Sequence, residues 1–493
     1  MKKVFLVTCC WLLVAGSYSQ TISQRLQKAF QQFESDSQLK HAISSLYVID
    51  AATGKVVFDK NSQIGLAGAS TQKIITAATA FELLGKEYRY KTLLYMDGKL
   101  LGDSLDGNLI IKAIGDPTFG SFRFEKTLRT KIINDIAYAL KKKNILKVSG
   151  DVLVDESVFE TNSVSNGWIW EDIGNYYGAG LYALNWNENQ YDLILKPGKK
   201  LKDDVEIITT NPELQVYSLI NELKTGPAGS GDNGYIFIPP YSVAGFVRGT
   251  IPAGINEFKI SGSFPFPVYQ FESELLKSFD SSNINISGKV KSSLEYFVNR
   301  KQFKYGTNQT LLELNSPSLD SIIYWFLKKS INLYGEALVK TFAYEKQGFG
   351  STDSGVAIVK RFWKEKGLDE DELNLYDGSG LSPLNRITTH AQVEILKYAK
   401  TKDWFPYFYD ALPEYNGMKM KSGTISDVKG FCGYHKSKDG KEYIFSFLVN
   451  NYSGKTSGVV NKMYKVLDEL KKSLVFSQEF EKSLSSRINY SHD

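Results

Sequence analysis

Ser70-Thr71-Gln72-Lys73 sets a hydroxyl and an amine three residues apart, which on a helix is one turn and one face. At that separation the amine is able to take the hydroxyl's proton directly, so the pair reads as a nucleophile with a lysine base. The commoner base is scarce, since only His41, His390, His435 and His492 occur. There is no G-x-S-x-G elbow, no H-E-x-x-H and no Cys/His cluster, so neither a histidine-based serine site nor a metal site is expected. The pair alone is a weak signal. Ser37 to Lys40 and Ser426 to Lys429 repeat the spacing, and an isolated Ser70 reads first as a helix cap. Ser70 differs from its rivals in opening an apolar-periodic stretch, just after Gly68-Ala69, where free backbone N–H groups suit an oxyanion.

Two further motifs shift the balance. Ser330-Ile331-Asn332 falls between two helical stretches, and Lys421-Ser422-Gly423-Thr424 lies on the first strand of a late hairpin. Each has a rival too. Ser281-Ser282-Asn283 sits in a polar loop, and Lys224-Thr225-Gly226 runs into Pro227 and a glycine-rich segment, a poor edge for binding substrate. Serine-lysine, serine-asparagine and lysine-serine-glycine, in that order and each on a suitable element, are far more specific than any one of them.

The elements that must position these groups follow from periodicity. Ile43 to Ile49 and Val56 to Phe58 read as strands around an Ala52-Thr53-Gly54 turn. Ile74, Ala77, Ala78, Phe81 and Leu84 give the spacing of a helix over 70–84, stopped by Gly85. Between about 93 and 290 the chain is β-rich, with a helical stretch over 124–142 and a loop over 226–234. That region is expected to be an insertion, with about 190–262 nested inside it. Helices return over 319–327, 333–343, 352–366 and 388–399. A hairpin from Met418 to Asn450 follows, with an Asp439-Gly440 turn, and then a closing helix over 457–473. The order describes an α+β domain in two parts, 20–92 and 291–475, split by the insertion and followed by a polar tail over 476–493.

At 493 residues the chain is too long for one ordinary core. Lys2 and Lys3, the apolar run from Val4 to Ala15, and Ser17 and Ser19 have the layout of a secretory leader over 1–19, cut before Gln20. That run is too short to span a bilayer, and no second long apolar run follows. Export to the periplasm or the medium is expected, with at most peripheral membrane contact. Cleavage would remove Cys9 and Cys10 and leave Cys432 without a disulfide partner. The formal charge of +5, less Lys2 and Lys3, is too small a bias to suggest a nucleic-acid partner. No cofactor is called for, and the oligomeric state has no signature in the sequence.

The three motifs together resemble those of penicillin-recognising serine enzymes. The chain is similar to the class C low-molecular-mass penicillin-binding proteins, the serine-type D-alanyl-D-alanine carboxypeptidase/endopeptidase family, which carry a large insertion between their first two motifs. Further likeness lies in Gly115-Asp116-Pro117-Thr118, Gly150-Asp151, Val154-Asp155-Glu156-Ser157, Gly167-Trp168-Ile169-Trp170 and Asp377-Gly378-Ser379-Gly380-Leu381-Ser382. Two positions depart from it: Gly68-Ala69 stands where a proline is common, and Ser422 where threonine is usual. The resemblance implies a penicillin-binding-protein/β-lactamase-like transpeptidase domain, an antiparallel sheet plus a helical cluster. It also implies peptidoglycan stem peptides as substrate and β-lactams as covalent inhibitors.

On that resemblance Ser70 would attack the carbonyl of the penultimate D-alanine. Lys73 would take its proton, with a pKa lowered by burial and by Lys421. Ser330 would relay a proton to the leaving amine, and Asn332 would orient Lys73. Lys421 and Ser422, on one strand with Gly423 and Thr424, would hold the substrate carboxylate. The backbone N–H groups of Ser70 and Thr424 would form the oxyanion hole. Asp155 would bind the amino end of the stem peptide's third residue, or else is a turn or surface carboxylate. Trp168 and Trp170 read as core or sheet residues, and 378–382 as a structural loop near the cleft. Two other functions stay open: a β-lactamase or esterase with the same triad, marked by fast penicillin turnover, and a non-catalytic penicillin-binding sensor or scaffold, marked by no D-alanine release.

Overall fold

Ile43–Asp50, Val428–Lys436 and Glu442–Asn450 are buried on both faces along nearly their whole length, which is why they read as almost unbroken apolar runs. They form the middle of a six-stranded antiparallel sheet ordered Glu414–Tyr415, Met418–Ile425, Val428–Lys436, Glu442–Asn450, Ile43–Asp50, Val56–Lys60. Early and late chain therefore share one sheet. The computed structural model describes residues 20–214, 217–306 and 309–472. The expected leader and polar tail lie outside the described residues.

Each face of this sheet is covered by helices. On one side Ile22–Glu34 and Thr456–Leu467 pack around Leu26, Phe30, Phe447 and Met463. In the first of these helices Leu26, Phe30 and Phe33 keep helical spacing. On the other side Lys73–Leu84, Leu319–Lys328, Asn332–Gln347 and Thr389–Lys400 share a core that includes Ile74, Phe326, Leu338 and Leu396. This arrangement is α+β, as expected. The stretch expected as one helix over 70–84 divides into a 3-10 turn, Ala69–Gln72, and an α-helix that begins at Lys73.

Between the two parts lies a seven-stranded sheet with helices Arg129–Lys142 and Pro267–Ser281 packed on it through Ile136, Leu140, Phe271 and Leu275. Its strand Lys91–Leu101 pairs antiparallel with both Ser104–Lys112 and Gln309–Asn315. The expected boundary at 290 is therefore corrected, because the inserted sheet keeps its last strand until Asn315. Gln309–Asn315 is a short edge strand in which only Leu312 and Leu314, packed on the core of the inserted sheet, alternate with the exposed Glu313 and Asn315. Within the insertion, two three-stranded sheets meet around Leu193, Leu223, Ile236, Val247 and Ile260. Among the described residues no helix is long and apolar enough to cross a membrane.

Candidate active site

Ser70 is not a cap. The cap positions of the 3-10 turn and of the following helix are Gly68 and Gln72, and neither makes a side-chain capping bond. Ala69, before it, adopts a left-handed φ of 46°, a conformation that alanine holds only where packing imposes it. That packing is visible at Gly380, where a Cβ would fall 2.1 Å from the Ala69 carbonyl oxygen.

Lys73 is fully buried, and its Nζ has three neighbours: Asn332 Oδ1 at 2.6 Å, the Ser379 carbonyl oxygen at 2.7 Å and Ser70 Oγ at 2.8 Å. The amide of Asn332 is oriented by its own Nδ2, which donates to the Tyr177 carbonyl at 2.7 Å. A neutral amine has two N–H groups and one lone pair. Two of its neighbours only accept, so they take the N–H groups, and the lone pair is left facing the one neighbour with a proton to give, Ser70. Burial pushes the Lys73 pKa down to about 7, against the opposing pull of the Asp377 and Glu336 charges.

The Ser379 carbonyl is held in place by Asp377. This buried carboxylate accepts from Ser382 N at 2.6 Å, Gly380 N at 2.7 Å and Trp168 Nε1 at 3.0 Å. The loop expected to be only structural thus supplies one of the three partners of Lys73. Glu336, one turn into the Asn332–Gln347 helix, accepts from Gly378 N at 3.2 Å. Burial and the Asp377 charge raise its pKa to about 7.

Ser330 sits between two helices with a left-handed φ of 58°, and its Oγ lies 2.9 Å from Lys421 Nζ. Lys421 also donates to the Ser422 carbonyl at 2.8 Å. Burial, then the Lys73 charge, pushes its pKa well below the usual lysine range. The expected share of Lys421 in lowering Lys73 gives way to burial as the cause. Gly423 brings the strand against the nucleophile turn, since a Cβ there would lie 2.4 Å from Gly68 O, 2.8 Å from Thr71 N and 2.9 Å from Ser70 N. Ser70, Ser330, Asn332 and Thr424 line a cleft of about 520 Å³ together with Glu171 and Tyr177 of the insertion. That size suits a peptide-sized ligand.

Residues 26–414 match the family described as D-Ala-D-Ala carboxypeptidase 3 (S13). The chain belongs to this family. A D-alanyl-D-alanine carboxypeptidase of Actinomadura sp. (strain R39) is 25% identical over 459 residues, 85% of this chain and 80% of its own length. The D-alanyl-D-alanine carboxypeptidase DacB of Haemophilus influenzae is 25% identical over 425 residues, 81% of this chain and 83% of its own. The crystal structure of penicillin binding protein 4 from Haemophilus influenzae shares the fold, with a TM-score of 0.77 at 21% identity over 91% of this chain and 99% of that one. The similarity to class C penicillin-binding proteins is borne out, and the chain is a serine-type D-Ala-D-Ala carboxypeptidase. Lys421 lies beyond the matched residues, so the third motif rests on the geometry above.

In this carboxypeptidase the strand after the third motif adds a residue that the spacing argument set aside. Lys429, rejected as the partner of Ser426, stands opposite Thr424 in the hairpin register. Its Nζ donates to Ser422 Oγ at 2.6 Å and Thr424 Oγ1 at 2.8 Å. Finding it from sequence required the hairpin turn to be placed at Ser426-Asp427, which sets 424 and 429 face to face.

Of the two readings of Asp155, the turn carboxylate fits its surroundings: it is 4% exposed and is not among the residues that line the cleft, whose carboxylates are Glu171, Asp172 and Glu188. Its Oδ1 accepts from Ser157 N at 2.9 Å and Ser157 Oγ at 2.6 Å, and its Oδ2 from the Tyr305 hydroxyl at 2.5 Å. Those three bonds tie the carboxylate to groups of the protein itself. Of the two tryptophans, Trp168 is buried as expected, whereas Trp170 is 46% exposed at the start of a short helix.

Proposed function

We propose that this enzyme hydrolyses D-alanyl bonds of peptidoglycan stem peptides through an acyl-enzyme on Ser70, trimming terminal D-alanine and opening cross-links, and that β-lactams acylate the same oxygen. The observation that carries this reading is the lone pair of Lys73, left for the Ser70 hydroxyl by two obligate acceptors at 2.6 and 2.7 Å. Lys73 takes the Ser70 proton as the bond to the carbonyl carbon forms. The backbone N–H groups of Ser70 and Thr424, brought side by side by the close approach at Gly423, face the developing oxyanion. Ser330, bonded to Lys421, relays to the departing amine the proton that Lys73 took, which returns both Lys73 and Ser330 to their starting states. Water then cleaves the ester and restores Ser70. The Ser422 and Thr424 hydroxyls hold the substrate carboxylate.

The insertion contributes Glu171, Asp172 and Tyr177 to the lining of the cleft, and the rest of the stem peptide lies against them. The leader over residues 1–19 directs export, which places the enzyme with its substrate in the periplasm or outside the cell. β-Lactam acylation draws support from penicillin binding protein 4 of Haemophilus influenzae, also crystallised in complex with a β-lactam.

Purified enzyme incubated with a labelled penicillin is expected to carry the label on Ser70, and incubated with muropeptides to release D-alanine and to convert dimers to monomers by mass spectrometry. Label that persists in Ser70→Ala, or no D-alanine release by the unaltered enzyme, would overturn the reading.

A further inference from the structure

Lys429 is 6% exposed, and among the described residues it has no carboxylate partner. Its two side-chain hydrogen bonds both go to hydroxyls, and its ammonium also stands 4.7 Å above the Phe431 ring. Burying an ammonium without an anion is costly. A structural prop for the hairpin would be served better by an uncharged side chain, so an unbalanced cation at this place points to a charge that arrives with a ligand.

Strand alternation says where that charge would sit. Ser422 and Thr424 project from the same face of Met418–Ile425, and Lys421 from the other. Lys429 pairs with Thr424 across the hairpin, so it shares that face and reaches the diagonal neighbour Ser422. Lys421 is already committed to Ser330 Oγ and the Ser422 carbonyl. Resting on the function proposed above, the geometry points to Lys429 as the cation that binds the α-carboxylate on the leaving side of the scissile bond, together with the hydroxyls of Ser422 and Thr424. Each hydroxyl accepts from the ammonium and turns its own proton outward, so an entering carboxylate meets two O–H donors backed by a full positive charge. Of the three, Thr424 lines the cleft together with Ser70, so the cradle meets the cleft through that residue, with Ser422 and Lys429 behind it. The residue thereby selects for substrates with a free carboxylate next to the bond that breaks. Burial alone lowers its pKa to about 8, and an anion at the hydroxyls restores the charged form.

The test compares an N-acylated L-Lys-D-Ala-D-Ala peptide with the same peptide carrying a C-terminal amide, following release of the last residue. The unaltered enzyme is expected to prefer the acid. In Lys429→Met, kcat/KM for the acid should fall about 10- to 100-fold, the range of a charge-assisted hydrogen bond, mostly through KM, while the amide changes little. Lys429→Gln still bonds both hydroxyls without the charge, so it guards against a simple folding defect and should lose the same preference. Lys429→Arg should regain most of it. An acid-to-amide ratio unchanged in both Met and Gln variants, or a matched loss on both peptides, would overturn the assignment while leaving the acyl-enzyme intact. Release from neither peptide by the unaltered enzyme would instead overturn the proposed function, and this assignment with it.

Discussion

Two buried polar clusters in this molecule carry motif residues of the same family and behave in opposite ways. Around Lys73, every bond but one goes to an atom that only accepts, and the remaining direction faces a serine hydroxyl on the cleft. Around Asp155, every bond is closed within the insertion by Ser157 and Tyr305. Both groups are almost without solvent. Burial therefore does not mark a reactive group. What marks it is an unspent lone pair or proton pointing at something that could react, and the contrast is open to direct attack.

The largest effect is expected at the lysine. Lys73→Met removes the base while keeping most of the side chain's length, and acylation by a labelled penicillin should slow by about 10³-fold. A rate within about tenfold of the unaltered enzyme would mean that another group takes the proton, and the distinction between the clusters would collapse. Gly423→Ala comes next. Its methyl would enter the space held by Gly68 O and the Ser70 and Thr71 nitrogens, so the strand or the nucleophile turn must shift. About 1–3 kcal/mol of stability should go in urea denaturation, and penicillin labelling should fall by about 10². Full labelling at unchanged stability would show that the oxyanion site tolerates a displaced strand.

Acidity sharpens the same contrast. Burial lowers Lys73 to about 7, so below that pH the amine holds its proton and has no lone pair for Ser70. The acylation rate should rise about tenfold per pH unit on the acid side, then level as pH passes through about 7. A rate flat from pH 5 to 9 would detach the titration of this lysine from the chemistry.

How far these clusters could be read beforehand depends on what each is made of. Ser70, Lys73, Ser330 and Lys421 are side chains with fixed roles, and their elements announce themselves by apolar period, so their convergence was legible. The Ser379 carbonyl was not, because any residue has one and only the folded loop aims it. Lys429 needed the hairpin register, and a one-residue slip would turn it to the opposite face. The end of the insertion was hidden because the edge strand Gln309–Asn315 puts only a brief alternation, Leu312 and Leu314 between Glu313 and Asn315, against the inserted core, too short to be told from a loop. Asp155 stayed open between a ligand contact and a turn for another reason: its motif neighbour Ser157 bonds it, and a motif does not say whether a carboxylate's partners belong to the protein or to a ligand.

The smallest effect on catalysis is therefore expected at Asp155. Asp155→Asn turns one acceptor oxygen into an N–H donor, and either Ser157 or the Tyr305 hydroxyl loses its acceptor. Leaving a buried polar group unmatched costs about 1–3 kcal/mol, visible as a lower midpoint in urea. The kcat and KM for D-alanine release should stay within about twofold, because the side chain lies off the cleft and its loss moves no atom around Ser70. The informative substrates are two stem peptides that differ only in whether the third residue carries a free amine. If Asp155→Asn raises KM for the amine-bearing peptide alone, with stability unchanged, then Asp155 reaches the ligand. In that case the internal bonds to Ser157 and Tyr305 must open when substrate binds, and the two buried clusters would differ only in the unliganded enzyme.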